Sequence, residues 1–128
     1  MNSIITDGIE ISVKSHYYFL QSSPKDGRYF FVYEITISNH SDFTVKLLQR
    51  HWDIVDSFGE KRMVEGEGVV GETPTLEPNE SFSYNSGCDF SSEIGKMSGY
   101  YIMQRLVDAT TFKVLIPEFK MVLPAKLN

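Results

Sequence analysis

At 128 residues the chain has the length of one domain, able to bury roughly 65 to 70% of its unfolded surface without disulfides or metals. A formal charge of −5, with lysine and arginine spread along the chain, argues against nucleic acid as a partner. One cysteine excludes an internal disulfide, and no apolar run reaches the ~18 residues of a membrane helix. The N-terminus MNSIITDGIE has neither a basic start nor a long apolar stretch, so the expected location is the cytoplasm.

Alternation of apolar and polar residues begins at Ile9, Ile11 and Val13 and is clearest in Tyr29, Phe31, Tyr33, Ile35 and Ile37, which run into the turn cluster from Ser38 to Asp42. From Phe43 to Asp56 it passes through Val45 and Leu47, then changes phase to Leu48, Trp52 and Ile54. That change predicts a bulge or bend near Leu47, with Trp52 pointing inward. Phe58-Gly59 is a turn. Strands follow over 61–65, around Phe82 and Tyr84, over 100–106 and over 111–116, with a last short segment over 119–123 between Pro117 and Pro124. Only the chain ends read as disordered.

Seven or eight strands at fairly even spacing, without a helix, predict one all-β domain over residues 1–128. The expected architecture is a two-sheet antiparallel β-sandwich, immunoglobulin-like or fibronectin type III-like. Seven Tyr and nine Phe fill its facing sheets. The spacing Leu76-x-Pro78-x-x-x-Phe82 is that of the corner between late strands of such domains, with Phe82 in place of the usual tyrosine.

Gly66, Gly68 and Gly71 fit G-x-G-x-x-G, a phosphate-binding pattern whose chemistry needs a helix opening directly after the loop. Pro74 and Pro78 exclude that helix, and Glu67 and Glu72 put negative charge where phosphate would sit. The glycines are then expected to serve turns and close backbone approach, and an anion site made of backbone N–H groups alone is the alternative. Arg50, Lys61 and Arg62 are the candidate cations for such a site. Val69 and Val70, aliphatic among glycines, are expected to form an exposed apolar tip, so that Gly66 to Gly71 is the candidate partner loop.

His51 and Asp53, two apart on one strand face, are candidate metal ligands, yet two ligands do not make a site. The carboxylates Asp56, Glu60, Glu65, Glu67 and Glu72 suit magnesium by type, as charged loops of any acidic protein would. Cys88 has no basic neighbour in sequence to lower its pKa and reads as an inert thiol. No residue pattern calls for a catalytic role or a cofactor.

Several landmarks in order carry a family resemblance: Gln21-Ser22-Ser23-Pro24, Arg28-Tyr29-x-Phe31-x-Tyr33, Arg50-x-Trp52 and Gly66-Glu67-Gly68-Val69-Val70-Gly71. Pro78-x-Glu80, Tyr84-x-Ser86-Gly87, Met97-x-Gly99-x-Tyr101 and Ile116-Pro117-x-Phe119 continue the series. On these the chain resembles the ApaG family over nearly its whole length. The resemblance implies a fibronectin type III-like sandwich without catalytic residues, linked genetically to cobalt and magnesium tolerance or efflux. It also implies a role in protein recognition, with an unidentified protein partner; the alternative is binding of diadenosine tetraphosphate or another pyrophosphate ligand at the glycine-rich loop. Position 79, where a glycine is common in the family, is Asn, which tolerates the same left-handed turn. Unpaired sandwich edges leave room for a homodimer.

Overall fold

The computed structural model describes residues 2–124 and contains two antiparallel sheets. Strands β1 (Asn2–Thr6), β2 (Ile9–Tyr17), β3 (Tyr29–Asn39) and β7 (Ser81–Phe90) form one, in the order β1-β2-β3-β7. Strands β4 (Val45–Asp56), β5 (Lys61–Glu67), β8 (Ile94–Arg105) and β9 (Thr111–Val122) form the other, in the order β5-β4-β8-β9, with the short β6 (Thr75–Leu76) paired to β4. Two 3-10 turns, Phe19–Gln21 and Pro24–Asp26, bridge β2 and β3.

The expected strands are present, with differences in extent, and the short β6 is an addition to them. The N-terminal residues 2–6, expected to be disordered, are a strand: Asp7 and Gly8 both have positive φ, the geometry of a two-residue hairpin, and fold β1 back onto β2. Met1 and residues 125–128 lie outside the described residues. The segments over 111–116 and 119–123 are one strand, because β9 bulges where Met97 faces Phe119 and Gly99 faces Ile116. Pro117 occupies that irregularity, where its missing N–H leaves no ladder bond broken. The strand near Phe82 extends to Phe90, and the one expected over 100–106 begins at Ile94.

The phase change on β4 is a bulge between Leu47 and Gln49, where the pairing to β8 shifts by one residue. Val45 and Leu47 face inward before it, and Trp52 and Ile54 after it. Trp52 is only 3% exposed and meets Tyr33 of the opposite sheet edge to face, with ring centroids 5.5 Å apart; Phe119 packs on both. Leu76 is buried and Phe82 packs against the core, so the corner residues do supply packing. Asn79 holds φ of 72°, as its place in the turn requires.

Asn39 is fully buried and fully used. Its Nδ2 donates to the carbonyls of Phe43 (2.8 Å) and Leu76 (3.0 Å), and its Oδ1 accepts from the Ser41 N–H (2.9 Å) and hydroxyl. It ties the crossover from β3 to β4 and the short β6 into one unit. Replacing it by alanine removes the buried bond to the Leu76 carbonyl and the half-buried bond to Phe43, and frees the Ser41 donors, each lost bond costing ~1 to 3 kcal/mol. Urea denaturation should show Asn39→Ala destabilised by about 2 to 4 kcal/mol, whereas Ser81→Ala on the exposed face should stay within about 0.5 kcal/mol.

Candidate functional site

The two sides of the sandwich are unlike. On one, β1 and β2 lie along β9, tied by the Asn2 side-chain amide to the Glu118 carbonyl (3.0 Å) and by the Leu115 N–H to the Thr6 hydroxyl (3.3 Å). On the other, the free edges of β5 and β7 face each other. Arg62 spans that gap toward one end: its guanidinium pairs with the Asp89 carboxylate (3.4 Å), reaches the Asp89 carbonyl and Cys88 Sγ, and lies over the Phe90 ring. Beside this bridge lies a cleft of about 290 Å³ whose lining includes Tyr33, Arg50, Trp52, Val64, Tyr84 and Met97.

The glycine-rich loop borders the cleft and is closed on itself. The Gly68 N–H donates to the Leu48 carbonyl, and Val69 and Glu72 exchange N–H···O bonds of 2.8 and 2.9 Å, so three of its donors are engaged within the protein. Gly68, with φ of +64°, sits so near the Glu72 carbonyl that any Cβ would lie 2.2 Å from its oxygen. Gly66 lies under the Arg50 guanidinium, which a Cβ would meet at 2.8 Å. Arg50 Nη1 donates to the carbonyls of Glu67 (3.1 Å) and Gly68 (2.9 Å). Backbone oxygens, not N–H groups, therefore face the cation, the reverse of a phosphate cradle.

The expected apolar tip is half present. Val70 is 54% exposed, but Val69 is only 1% exposed and belongs to the core, because the tight turn from Val69 to Glu72 swings it inward. Of the three candidate cations only Arg50 is at the loop, opposite Gly66 in the ladder. Lys61 and Arg62 pair with Val55 and Ile54, five and four residues farther along β4 and thus ~13 Å or more away, and Arg62 is committed to Asp89.

His51 and Asp53 do lie together on the outer face of β4, with Nε2 and Oδ2 3.1 Å apart. Glu65, read from sequence only as one of several carboxylates, is placed by β5 across from His51, its carboxylate 3.2 Å from Nδ1 but out of line for a hydrogen bond. The two carboxylates thus lie at different nitrogens of the ring, which stacks on Tyr100 at 4.6 Å, with the Lys113 ammonium also over that tyrosine. Among the described residues no group of three or more His, Cys, Asp or Glu is arranged to hold a metal ion. Asp56 instead caps the turn after β4, accepting the N–H groups of Phe58 and Glu60.

Cys88 is buried at the cleft, and desolvation pushes its thiol up to about 11 despite the opposing charge of Arg62. Burial likewise raises the phenols of Tyr33, Tyr84 and Tyr101, with the Arg50 charge opposing it in each. The hydroxyls of Tyr84 and Tyr101 bond to each other. Arg62 beside Cys88 could not be read from sequence, since 26 positions separate them and only the β5/β7 approach joins them.

A family model described as ApaG domain matches residues 20–105. Protein ApaG of Shewanella denitrificans is 45% identical over 122 residues, covering 95% of this chain and 96% of that protein. Protein ApaG of Brucella anthropi is 46% identical over 124 residues, covering 97% and 95%. The crystal structure of a Bordetella pertussis protein named ApaA superposes with a TM-score of 0.88 at 36% identity, covering 91% of this chain and 94% of that one.

The Glu65 and Asp53 carboxylates raise the His51 pKa, the Glu65 contact most, against a smaller opposing effect of desolvation. Its contribution to stability is full below the unfolded value of about 6.5 and is lost as pH rises through the higher folded value. Thermal melts should therefore show wild type losing stability relative to His51→Gln between about pH 6 and 8. Parallel pH profiles for the two proteins would show that the clamp contributes nothing.

Proposed function

Because this chain belongs to the ApaG family, we propose that it acts as a non-catalytic protein-interaction module, in the cytoplasm, within the cobalt and magnesium tolerance to which the family resemblance points. The observation that carries the reading is the free edge of β5. Of its seven residues only Gly66 is not exposed; the strand carries Met63 and Val64 as exposed apolar side chains, and the exposed Val70 stands at the end of the adjoining loop. An edge strand offers unpaired backbone groups to an incoming chain, and apolar side chains beside it supply burial. Lys61, Arg62, Glu65 and Glu67 along the same strand oppose indiscriminate pairing.

The strand order β1-β2-β3-β7 against β5-β4-β8-β9 supports the fibronectin type III-like assignment, a fold widely used to present edges and loops. Among the described residues no helix is long and apolar enough to cross a membrane, so an effect on cation efflux would pass through contact with a transporter or its regulator. The pyrophosphate alternative gains no support from the loop, whose Gly68, Val69 and Glu72 donors are bonded within the protein and whose carbonyls face Arg50.

In a strain lacking the gene, Met63→Asp with Val70→Asp should lose both the partner retained by wild type on affinity capture and the restoration of cobalt tolerance, while circular dichroism remains unchanged. A folded double variant that keeps both would refute the β5 surface. Equilibrium dialysis at millimolar diadenosine tetraphosphate should show no retention; saturable retention lost in Arg50→Gln would establish the pyrophosphate alternative instead.

A further inference from the structure

The cleft between β5 and β7 has a composition that neither packing nor protein docking calls for. Arg50 is the only charged residue among those lining it. It faces the interior because the bulge on β4 turns Arg50 to the same side as Trp52 and Ile54. In a protein of charge −5, no carboxylate lies within ion-pair distance of this guanidinium among the described residues, while Arg62 and Lys96 each have one. Its hydrogen bonds all leave from Nη1, to the carbonyls of Glu67 and Gly68. A guanidinium has five N–H donors in a planar fork, so the Nε and Nη2 donors are left without an acceptor among the described residues.

Around this cation stand the phenols of Tyr33 and Tyr84, the Ser86 hydroxyl and the apolar surfaces of Trp52, Val64 and Met97. A small cavity that is mainly apolar with a few converging polar groups is the usual form of a ligand site, and about 290 Å³ is near the lower end of such sites. The complement of one guanidinium edge is a pair of coplanar oxygens, and the complement of the remaining lining is a flat or branched hydrocarbon. A polyphosphate fits poorly, since its additional charges would find no second cation in the lining and only apolar or neutral surface.

We propose that this cleft binds a small monocarboxylic acid with a compact apolar body. The carboxylate sits on the Nε and Nη2 donors of Arg50, and the body rests against Trp52, Val64 and Met97. The site shares Val64 and Val70 with the edge-strand surface of the interaction reading, but its cation is Arg50 and it does not rest on that reading. The hydroxyls of Tyr84, bonded to Tyr101, and of Ser86 keep the rest of the polar lining neutral.

The test is an amide-resolved NMR titration of the full chain with 3-phenylpropanoate, with 3-phenylpropanamide as the uncharged counterpart and inorganic pyrophosphate as the anion without an apolar body. The acid should give saturable shifts confined to the cleft-lining parts of β4, β5 and β7. The amide should bind about tenfold more weakly or less, the size of one charge-assisted pair, and pyrophosphate should not compete. Arg50→Gln should lose binding. Because that change also frees the Glu67 and Gly68 carbonyls, Val64→Glu provides the second variant: it leaves the Arg50 clamp in place and sets a negative charge at the exposed mouth, and it too should weaken the acid about tenfold or more. Absence of saturable shifts, equal affinity for acid and amide, shifts mapping outside the cleft, competition by pyrophosphate, or unimpaired binding by folded Val64→Glu would each overturn the proposal.

Discussion

The bulge at Leu48 sets the character of this molecule. A strand alternates its side chains with period two, so without the extra residue the inward set beginning at Val45 and Leu47 would continue through Gln49, His51 and Asp53. The core would then receive a carboxylate and an imidazole, and Trp52 would face solvent. With the bulge, Trp52 and Ile54 enter the interior, and Arg50 turns inward ahead of them at the edge of the sandwich. One inserted residue in the central strand thus creates both the inter-sheet contact of Trp52 with Tyr33 and the cation in the cleft.

The glycine-rich loop follows from where that cation lies. Arg50 holds the carbonyls of Glu67 and Gly68, its guanidinium covers the Cα of Gly66, and Gly68 must pass close to the Glu72 carbonyl. Two glycines of the apparent phosphate pattern are therefore explained by contacts inside the protein, and the φ of +81° at Gly71 completes the turn that buries Val69. The spacing of the motif is a packing solution at the end of an edge strand. It coincides with a nucleotide fingerprint because both need backbone without Cβ atoms.

The two proposed recognition surfaces lie on the side of the sandwich that β1 does not close. There the β5 edge, the exposed Val70 and the cleft at Arg50 share one rim, with the Arg62 bridge to Asp89 along it. The His51 clamp lies on the outer face of the same two strands and joins β4 to β5 by charge as well as by backbone pairing. A partner strand docking on β5 and a small acid entering beneath it would be neighbours, which places two kinds of recognition within reach of each other.

Much of the architecture was legible in order of residues alone. Alternation is a local property, so the strands at Ile9, Tyr29 and Val45, the phase change near Leu47 and the burial of Trp52 could be read without knowing what lay opposite. The hairpin of β1 was legible too, in Asp7-Gly8, a turn signal that the short flanking strand made easy to pass over. The site was not, because its parts come from distant segments: Arg50 meets Gly66, Glu65 meets His51 and Arg62 meets Cys88 only through strand pairing and the approach of two sheet edges. Nor could composition say that Val69 turns inward while Val70 stays out, since both are valines and only the closed turn to Glu72 separates them. Sequence by itself determined which faces of the strands must be buried, since that depends on period and polarity. Tertiary structure decided which edge stayed open and which charge was left unpaired within it, since those depend on distances across the chain.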